Sequence, residues 1–383
     1  MNNHIYNSWL EINLDYLKNN IEQIRGHIGT ECEIMAVVKS NAYGHGAVTI
    51  VKYLQKNCNI KYFSVANIWE ALELRREEID APILVMSSLM DSQLEEAVKN
   101  DITITLFNSE TAKKIDEIGK RIGKRPRVHI KIDSGLRRIG LIPGEELQAF
   151  AEQIKSTENL DIEGVYSHFA ESGNEDKTFT YEQLGIFNEG VSQLRENGID
   201  PKYIHCAASQ AILEVPESHF NLVRSGKLTY GYHGMSHENK TIELKPILSW
   251  KSAITNILEL KKGESIGYSR TFTADKDMKV AVVSVGFGDG YSSLLSNKGS
   301  IIINGIKAPI IGRICMDSTF IDITGLDDVR IGDVVTILGR EGDAEITKNE
   351  ICSITGQQVS EIIANIGRRV GRFYTGNSSN QTI

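Results

Sequence analysis

No run of apolar residues in this sequence approaches the roughly 20 needed to cross a bilayer, which argues against a membrane-spanning helix. The opening Met1-Asn2-Asn3-His4 is polar rather than charged and then apolar, unlike a secretory signal, so the protein is expected in the cytoplasm. Its five cysteines (Cys32, Cys58, Cys206, Cys315 and Cys352) contain no C-x-x-C pair, and their odd number argues against a disulfide framework and for reduced thiols. There is no basic stripe to offset a net charge of −8, which disfavours a nucleic-acid partner. The cluster Lys120-Arg121-Ile122-Gly123-Lys124-Arg125 stands before a strand and reads as a solvated loop. Internal repeats and low-complexity linkers are also missing, and the tail Gly376-Asn377-Ser378-Ser379-Asn380-Gln381 reads as frayed.

What is present is enough for two domains: 383 residues, of which 41% are hydrophobic and 24% charged. Eight short apolar runs come first: Glu33–Val38, Phe63–Ala66, Ile83–Met86, Ile102–Leu106, Val128–Ile132, Ile162–Tyr166, Ile204–Cys206 and Leu222–Arg224. Helical patterns such as Ile68–Arg76, Ser92–Lys99, Ser109–Gly119 and Tyr181–Asn197 lie between them. Strand and helix in eightfold alternation predict a closed (β/α)₈ barrel over 1–243 rather than an open sheet. From about Lys245 the pattern changes to β-branched runs punctuated by glycine: Lys279–Val285, Ser300–Ile303, Lys307–Ile311, Phe320–Ile323 and Val334–Leu338. Residues 244–383 are therefore expected to form a mostly-β domain, with Asn304-Gly305 turning a type I′ hairpin.

The stretch Ala36-Val37-Val38-Lys39-Ser40-Asn41-Ala42-Tyr43-Gly44-His45-Gly46 carries the first chemistry, because it puts a lysine at the end of the first buried strand. Such a lysine either snorkels out of the barrel mouth or, partly desolvated, is an amine ready to attack an aldehyde. Barrel enzymes keep their catalytic groups at the C-terminal ends of the strands, which favours the second. His168 and Ser209 follow the sixth and seventh runs and Arg224 ends the eighth, so all three belong to the same face.

Val38-Lys39-Ser40-Asn41-Ala42-Tyr43-Gly44-His45-Gly46 resembles the cofactor-lysine signature of the alanine racemase family, and the resemblance extends from Leu10-Glu11-Ile12 to Arg369-Val370-Gly371-Arg372. It implies interconversion of L- and D-alanine, pyridoxal phosphate bonded to Lys39, and a homodimer with shared active sites. Tyr43, Ser209 and Gly226 then match phosphate-binding positions, although Ser209 taken alone reads equally well as a helix N-cap. Arg224 matches the arginine that faces the pyridine nitrogen, with His205 behind it; His168 joins the cofactor set, and a structural ion pair is the alternative for Arg224. In Lys131-Ile132-Asp133-Ser134-Gly135-Leu136-Arg137-Arg138 the resemblance assigns Arg138 to the substrate carboxylate and Lys131 to a position often carbamylated, with an unmodified lysine facing solvent as the alternative for Lys131.

Racemisation takes a proton from one face of Cα and returns it to the other, so two bases are needed unless one swings across. Lys39 serves one face. Tyr268, in Ile266-Gly267-Tyr268-Ser269-Arg270, matches the family's second base; without the resemblance it would read as a packing residue. Gly312-Arg313-Ile314-Cys315-Met316-Asp317 similarly offers Met316 and Asp317 to the substrate, with a bulge and a turn as the alternatives.

Three positions depart from the family pattern: Phe287 stands for a gate tyrosine, Ala208 for an asparagine before the phosphate serine, and Arg368 for a tyrosine. Each changes size or polarity, so a serine or broad-specificity racemase is the rival within the family. A basic-amino-acid decarboxylase would want an acid where Arg224 stands, and a non-catalytic cofactor carrier would end after the barrel.

Overall fold

The computed structural model describes residues 6–233 and 241–376. The opening residues Met1–His4 and the tail beyond Gly376 lie outside the described residues. The chain divides into two compact units, one built from Tyr16–Ala42 and Ala47–Pro246, the other from residues up to Asp15, Tyr43–Gly46 and the chain from Ile247 on. Strand β1 (Ser8–Asn13) belongs to the latter.

The first unit is the barrel. Its strands are β2 (Glu33–Val37), β3 (Tyr62–Val65), β4 (Ile83–Val85), β5 (Thr103–Leu106), β6 (Arg127–Lys131), β7 (Asp161–Tyr166), β8 (Tyr203–His205) and β9 (Leu222–Ser225). All are parallel neighbours in chain order, and β9 returns to lie beside β2. The ring is drawn together between β8 and β9 by the bridge of Ala208 to Arg224, where the Arg224 N–H donates to Ala207 O at 3.0 Å. Helices cover the outside and keep strand backbones from water, which is why the strands read as unbroken apolar runs. The helix Ile68–Arg76 starts from Asn67 and Glu70, which cap each other's backbone N–H groups. The helix Ser109–Ile122 ends on Gly123 at φ 71°.

That helix end corrects the loop expected at Lys120–Arg125. Lys120 and Arg121 form the last helical turn, where cations complement the C-terminal dipole. Three of the four basic groups also find a carboxylate, Lys120 with Asp116, Arg121 with Glu95 and Lys124 with Asp101, while Arg125 donates to Leu160 O at 3.4 Å.

The second unit is organised by β10 (Leu248–Leu260), a 13-residue strand. It pairs antiparallel with β1, which is itself parallel to the last strand, Gly371–Thr375. β11 (Ser265–Ile266) and β12 (Phe272–Thr273) make a small ribbon; β13 (Met278–Val283) runs beside β10. β14 (Ser300–Ile303) and β15 (Ile306–Pro309) form the expected hairpin, with Asn304 at φ 51° and Gly305 at φ 74° as a type I′ turn requires. β16 (Thr319–Asp322), β17 (Val334–Glu341), β18 (Ala344–Ile346) and β19 (Gly371–Thr375) complete the sheets. Helices Lys348–Thr355 and Val359–Ala364 interrupt the β pattern, so the unit is mostly rather than wholly β. A core of Leu260, Ile266, Met278, Val280 and Ile311 closes over Phe272 and Phe320.

The sequence reading opened the barrel at residue 1. The structure instead gives Ser8–Asn13 to the second unit's sheet. Local alternation identifies a strand but not its partner, and here the partners lie more than 200 residues away, as in Leu10 opposite Trp250.

Candidate active site

Lys39 follows β2 by two residues and is half-buried at the C-terminal end of the barrel. Burial pulls its ammonium below the ordinary range; Arg138 and Arg224 push it the same way and Glu70 opposes them. Directly after it, Ser40, Asn41, Ala42 and Tyr43 all take left-handed backbone angles, with φ 53°, 55°, 53° and 51°. Each such non-glycine residue costs about 1–2 kcal/mol, so the run persists because its surroundings hold it. Asn41 Oδ1 accepts the Ala47 N–H at 2.8 Å, and Glu70 accepts from the Ser40 and Ala66 amides at 2.5 and 2.8 Å. Tyr43–Gly46 is packed within the second unit, where Tyr374 Oη donates to His45 O and Arg372 Nε to Gly44 O. A Cβ on Gly44 would fall 2.2 Å from Ile363 O, so this position requires glycine.

Arg224, on β9, is 2% exposed, yet no carboxylate pairs with it among the described residues. The structural ion pair considered above is therefore not what holds it. Its NH1 donates to His205 Nδ1 at 3.0 Å and His205 O at 3.1 Å; NH2 donates to Ser167 O, Cys206 O and His168 Nδ1 at 2.8, 3.0 and 3.1 Å. A guanidinium can only donate, so both imidazole nitrogens facing it are acceptors. Burial first, and then Arg224, hold His168 and His205 well below the ordinary histidine range, so both are neutral near pH 7. Arg224 Nε–H makes no hydrogen bond within the described residues.

Lys131 is 3% exposed on β6 and donates to Ile132 O at 2.8 Å. Burial, and next the charge of Arg224, lower its ammonium to about 7. Its Nζ also lies 5.1 Å from the centre of the Tyr166 ring. Arg138 is exposed, in a loop anchored where Asp133 Oδ1 accepts the Gly135 and Arg137 amides at 2.9 and 3.1 Å. Ser209 is 9% exposed and its hydroxyl accepts the Gly226 N–H at 3.2 Å. The N-cap of the helix Ser209–Glu214 is Ala208, without a side-chain cap bond, so Ser209 is not the plain N-cap considered as its alternative.

In the second unit the expected groups lie open. Tyr268 is 70% and Met316 55% exposed; both are therefore free of the packing role that Tyr268 would have had by default. Tyr268 sits in a one-turn 3₁₀ helix behind Gly267, and Arg313 donates to the neighbouring Ser269 hydroxyl at 3.2 Å. Asp317 pairs with Arg369 at 2.8 Å, and the same guanidinium reaches Asp289 at 2.7 Å. Phe287 and Arg368 are exposed as well.

A phosphorylated pyridine aldehyde demands an amine, a cradle of N–H and O–H groups, and a partner for its ring nitrogen. Among the described residues the barrel end supplies Lys39 as a lysine with a depressed pKa, the Ser209 hydroxyl with the Gly226 amide, and the uncommitted Arg224 Nε–H. The donor set fits such a group. Two contributors escaped the sequence reading. Tyr166 stacks on His205 at 4.8 Å and donates its hydroxyl to Met86 O, a role that its place at the inward-facing end of β7 could have signalled. His129 joins His205 at 2.8 Å, for which no motif gave a sign.

The family model for the alanine racemase N-terminal domain matches residues 12–234, and that for the C-terminal domain matches 247–374. The chain belongs to the alanine racemase family. Alanine racemases of Methanococcus maripaludis and Clostridium tetani are 38% and 40% identical to it, over 96% and 97% of this chain and 98% and 96% of theirs. Among solved structures, the alanine racemase of Clostridium difficile aligns with a TM-score of 0.92 at 36% identity, covering 97% of this chain and 96% of the other. That of Bartonella henselae, which holds covalently bound pyridoxal phosphate, aligns at 0.84 and 26% identity over 96% and 99%. Among the described residues no helix is long and apolar enough to cross a membrane, and the five cysteines are free.

Proposed function

We propose that the protein is a pyridoxal-phosphate-dependent alanine racemase that interconverts L- and D-alanine by a two-base route. The observation that carries the reading is a buried guanidinium, Arg224, held by neutral acceptors beside a lysine whose ammonium is destabilised. Pyridoxal phosphate, when bound, supplies the electron sink that lets the substrate Cα release its proton. Arg224 offers the ring nitrogen a hydrogen bond but no transferable proton, which moderates that sink and favours return of the proton to Cα over other outcomes. Ser209, Gly226 and Tyr43 hold the phosphate; His168 and His205 fix Arg224 from behind. Arg138 binds the substrate carboxylate through its planar fork.

Lys39 Nζ takes or delivers the proton on one face of Cα, and Tyr268 Oη does so on the other. The exposure of Tyr268, Met316 and Asp317 supports a homodimer in which these groups complete a partner subunit's site. The enzyme acts in the cytoplasm and provides D-alanine for peptidoglycan. Deuterium wash-in at Cα from L- and D-alanine is the test: in Tyr268→Phe, exchange from one enantiomer survives while that from the other collapses. Equal, wild-type exchange of both would remove Tyr268 from the mechanism. L-Serine and L-lysine in the same assay separate an alanine enzyme from a broader one, the reading that Phe287, Ala208 and Arg368 keep open.

Lys131 is suited to carbamylation. With its pKa near 7 a large share of the amine is neutral at neutral pH, and that form adds carbon dioxide, releasing a proton. The product is an anion where a buried cation faced Arg224 and Arg138. Intact-protein mass spectra under bicarbonate should gain one carboxyl, lost in Lys131→Met; an unmodified lysine throughout would exclude it.

A further inference from the structure

The hydrogen bonds that begin at Arg224 do not stop at His205. His205 Nε2 lies 2.8 Å from His129 Nδ1, and His129 Nε2 lies 3.6 Å from the carboxylate of Glu163. The line runs through the barrel interior beside the rings of Tyr166, which stacks on His205, and Tyr203, which stacks on His129. Its imidazoles are closed to water, His205 being fully buried and His129 3% exposed, and the line meets solvent only at the Glu163 side chain, 16% exposed.

The tautomers along it follow from its two ends. Arg224 donates to His205 Nδ1, which must therefore be bare, so a neutral His205 carries its proton on Nε2. That proton is donated to His129 Nδ1, which leaves the second imidazole with its own proton on Nε2, turned toward a carboxylate. Both rings are kept neutral chiefly by burial; Arg127 and Arg224 add to this at His129, Arg224 and Lys131 at His205, and Glu163 alone opposes it.

Two backbone features build the far end. The β6–β7 register pairs Val128 with Ile162 but His129 with Gly164, so Glu163 is the extra residue of a bulge and is carried beside the imidazole. Gly164 makes room for the ring, because a Cβ there would lie 2.6 Å from His129 Nδ1 and Cε1.

We propose that Glu163 is a positioning residue for Arg224: its carboxylate faces His129 Nε2 at 3.6 Å and orients that ring electrostatically, and the hydrogen bonds from Arg224 to His205 and from His205 to His129 carry that orientation to the guanidinium. The carboxylate balances the guanidinium from the other end of the chain, so Arg224 stays oriented while its charge is not cancelled by a neighbouring acid. The effect on turnover rests on the reading of Arg224 as the partner of the cofactor ring; the tautomers do not.

The test uses holoenzyme labelled with ¹⁵N-histidine. Two-bond proton–nitrogen couplings report the tautomer of each of the nine histidines, and His129→Gln and His205→Gln assign the two signals. Both should be neutral with the proton on Nε2 at neutral pH; either ring cationic, or protonated on Nδ1, overturns the proposal. In Glu163→Leu and Gly164→Ala both signals should move and kcat should fall about tenfold with KM little changed, whereas Glu163→Gln, which keeps a polar oxygen there, should recover most of it. Wild-type kcat with an unmoved His205 signal in Glu163→Leu also overturns it. Should Glu163→Leu not fold, the wild-type tautomers and Glu163→Gln still decide. A protein with these tautomers but no alanine turnover would keep the chain and refute the racemase.

Discussion

The two units carry their candidate chemistry in opposite states. In the barrel, Arg224, His205 and Lys131 are buried and their partners are already in place; in the second unit, Tyr268, Met316 and Phe287 stand at 70%, 55% and 48% exposure. A buried polar group must be satisfied when the chain folds, so the barrel groups are part of its stability. An exposed side chain is nearly independent of folding and answers only to what binds it. Function and stability should therefore be tied together in one unit and separable in the other.

Removing Arg224 is the largest break. Arg224→Leu deletes the donors to Ser167 O, Cys206 O and two imidazoles, and should lower unfolding free energy by about 3 kcal/mol, since unsatisfied buried acceptors cost about 1–3 kcal/mol each. Urea unfolding measures it; an unchanged midpoint would dissolve the contrast between the units.

Acid comes next. His129, His168 and His205 all have folded pKa values below the ordinary 6.5, so on lowering the pH the unfolded chain binds protons that the folded chain refuses. Their stabilisation is whole above pH 6.5 and is lost progressively as the pH falls below it. Tm followed from pH 7 downward should decline, and His205→Asn should flatten the decline.

Smallest is the comparison of the two proposed bases. Lys39→Met removes a desolvated cation repelled by two arginines and should raise stability by up to about 1 kcal/mol. Tyr268→Phe, at an exposed position, should change it by less than about 0.5 kcal/mol. Thermal unfolding of both, each expected to be catalytically crippled, gives the sharpest form of the contrast.

The barrel was legible because a strand buried on both faces must be a short apolar run, and its eight runs differ from the eight strands by a residue or so at each end. Groups at strand ends, such as Lys39, Arg224 and Ser209, could be placed on one face by the same logic. The assignment of Ser8–Asn13 could not, because pairing is long-range. Nor could His129 and Glu163, since a bulge shifts the register by one residue and leaves no trace in the hydrophobic pattern. The conformation after Lys39 was hidden too, because Ser-Asn-Ala-Tyr holds no glycine to announce it.

That conformation has one more consequence. At φ 53° and ψ 50° Ala42 occupies the mirror image of the right-handed helical basin, so for D-alanine the same geometry is the relaxed one. A semisynthetic chain carrying D-alanine at this position would shed strain at a single stereocentre, using the enantiomer that the proposed reaction makes.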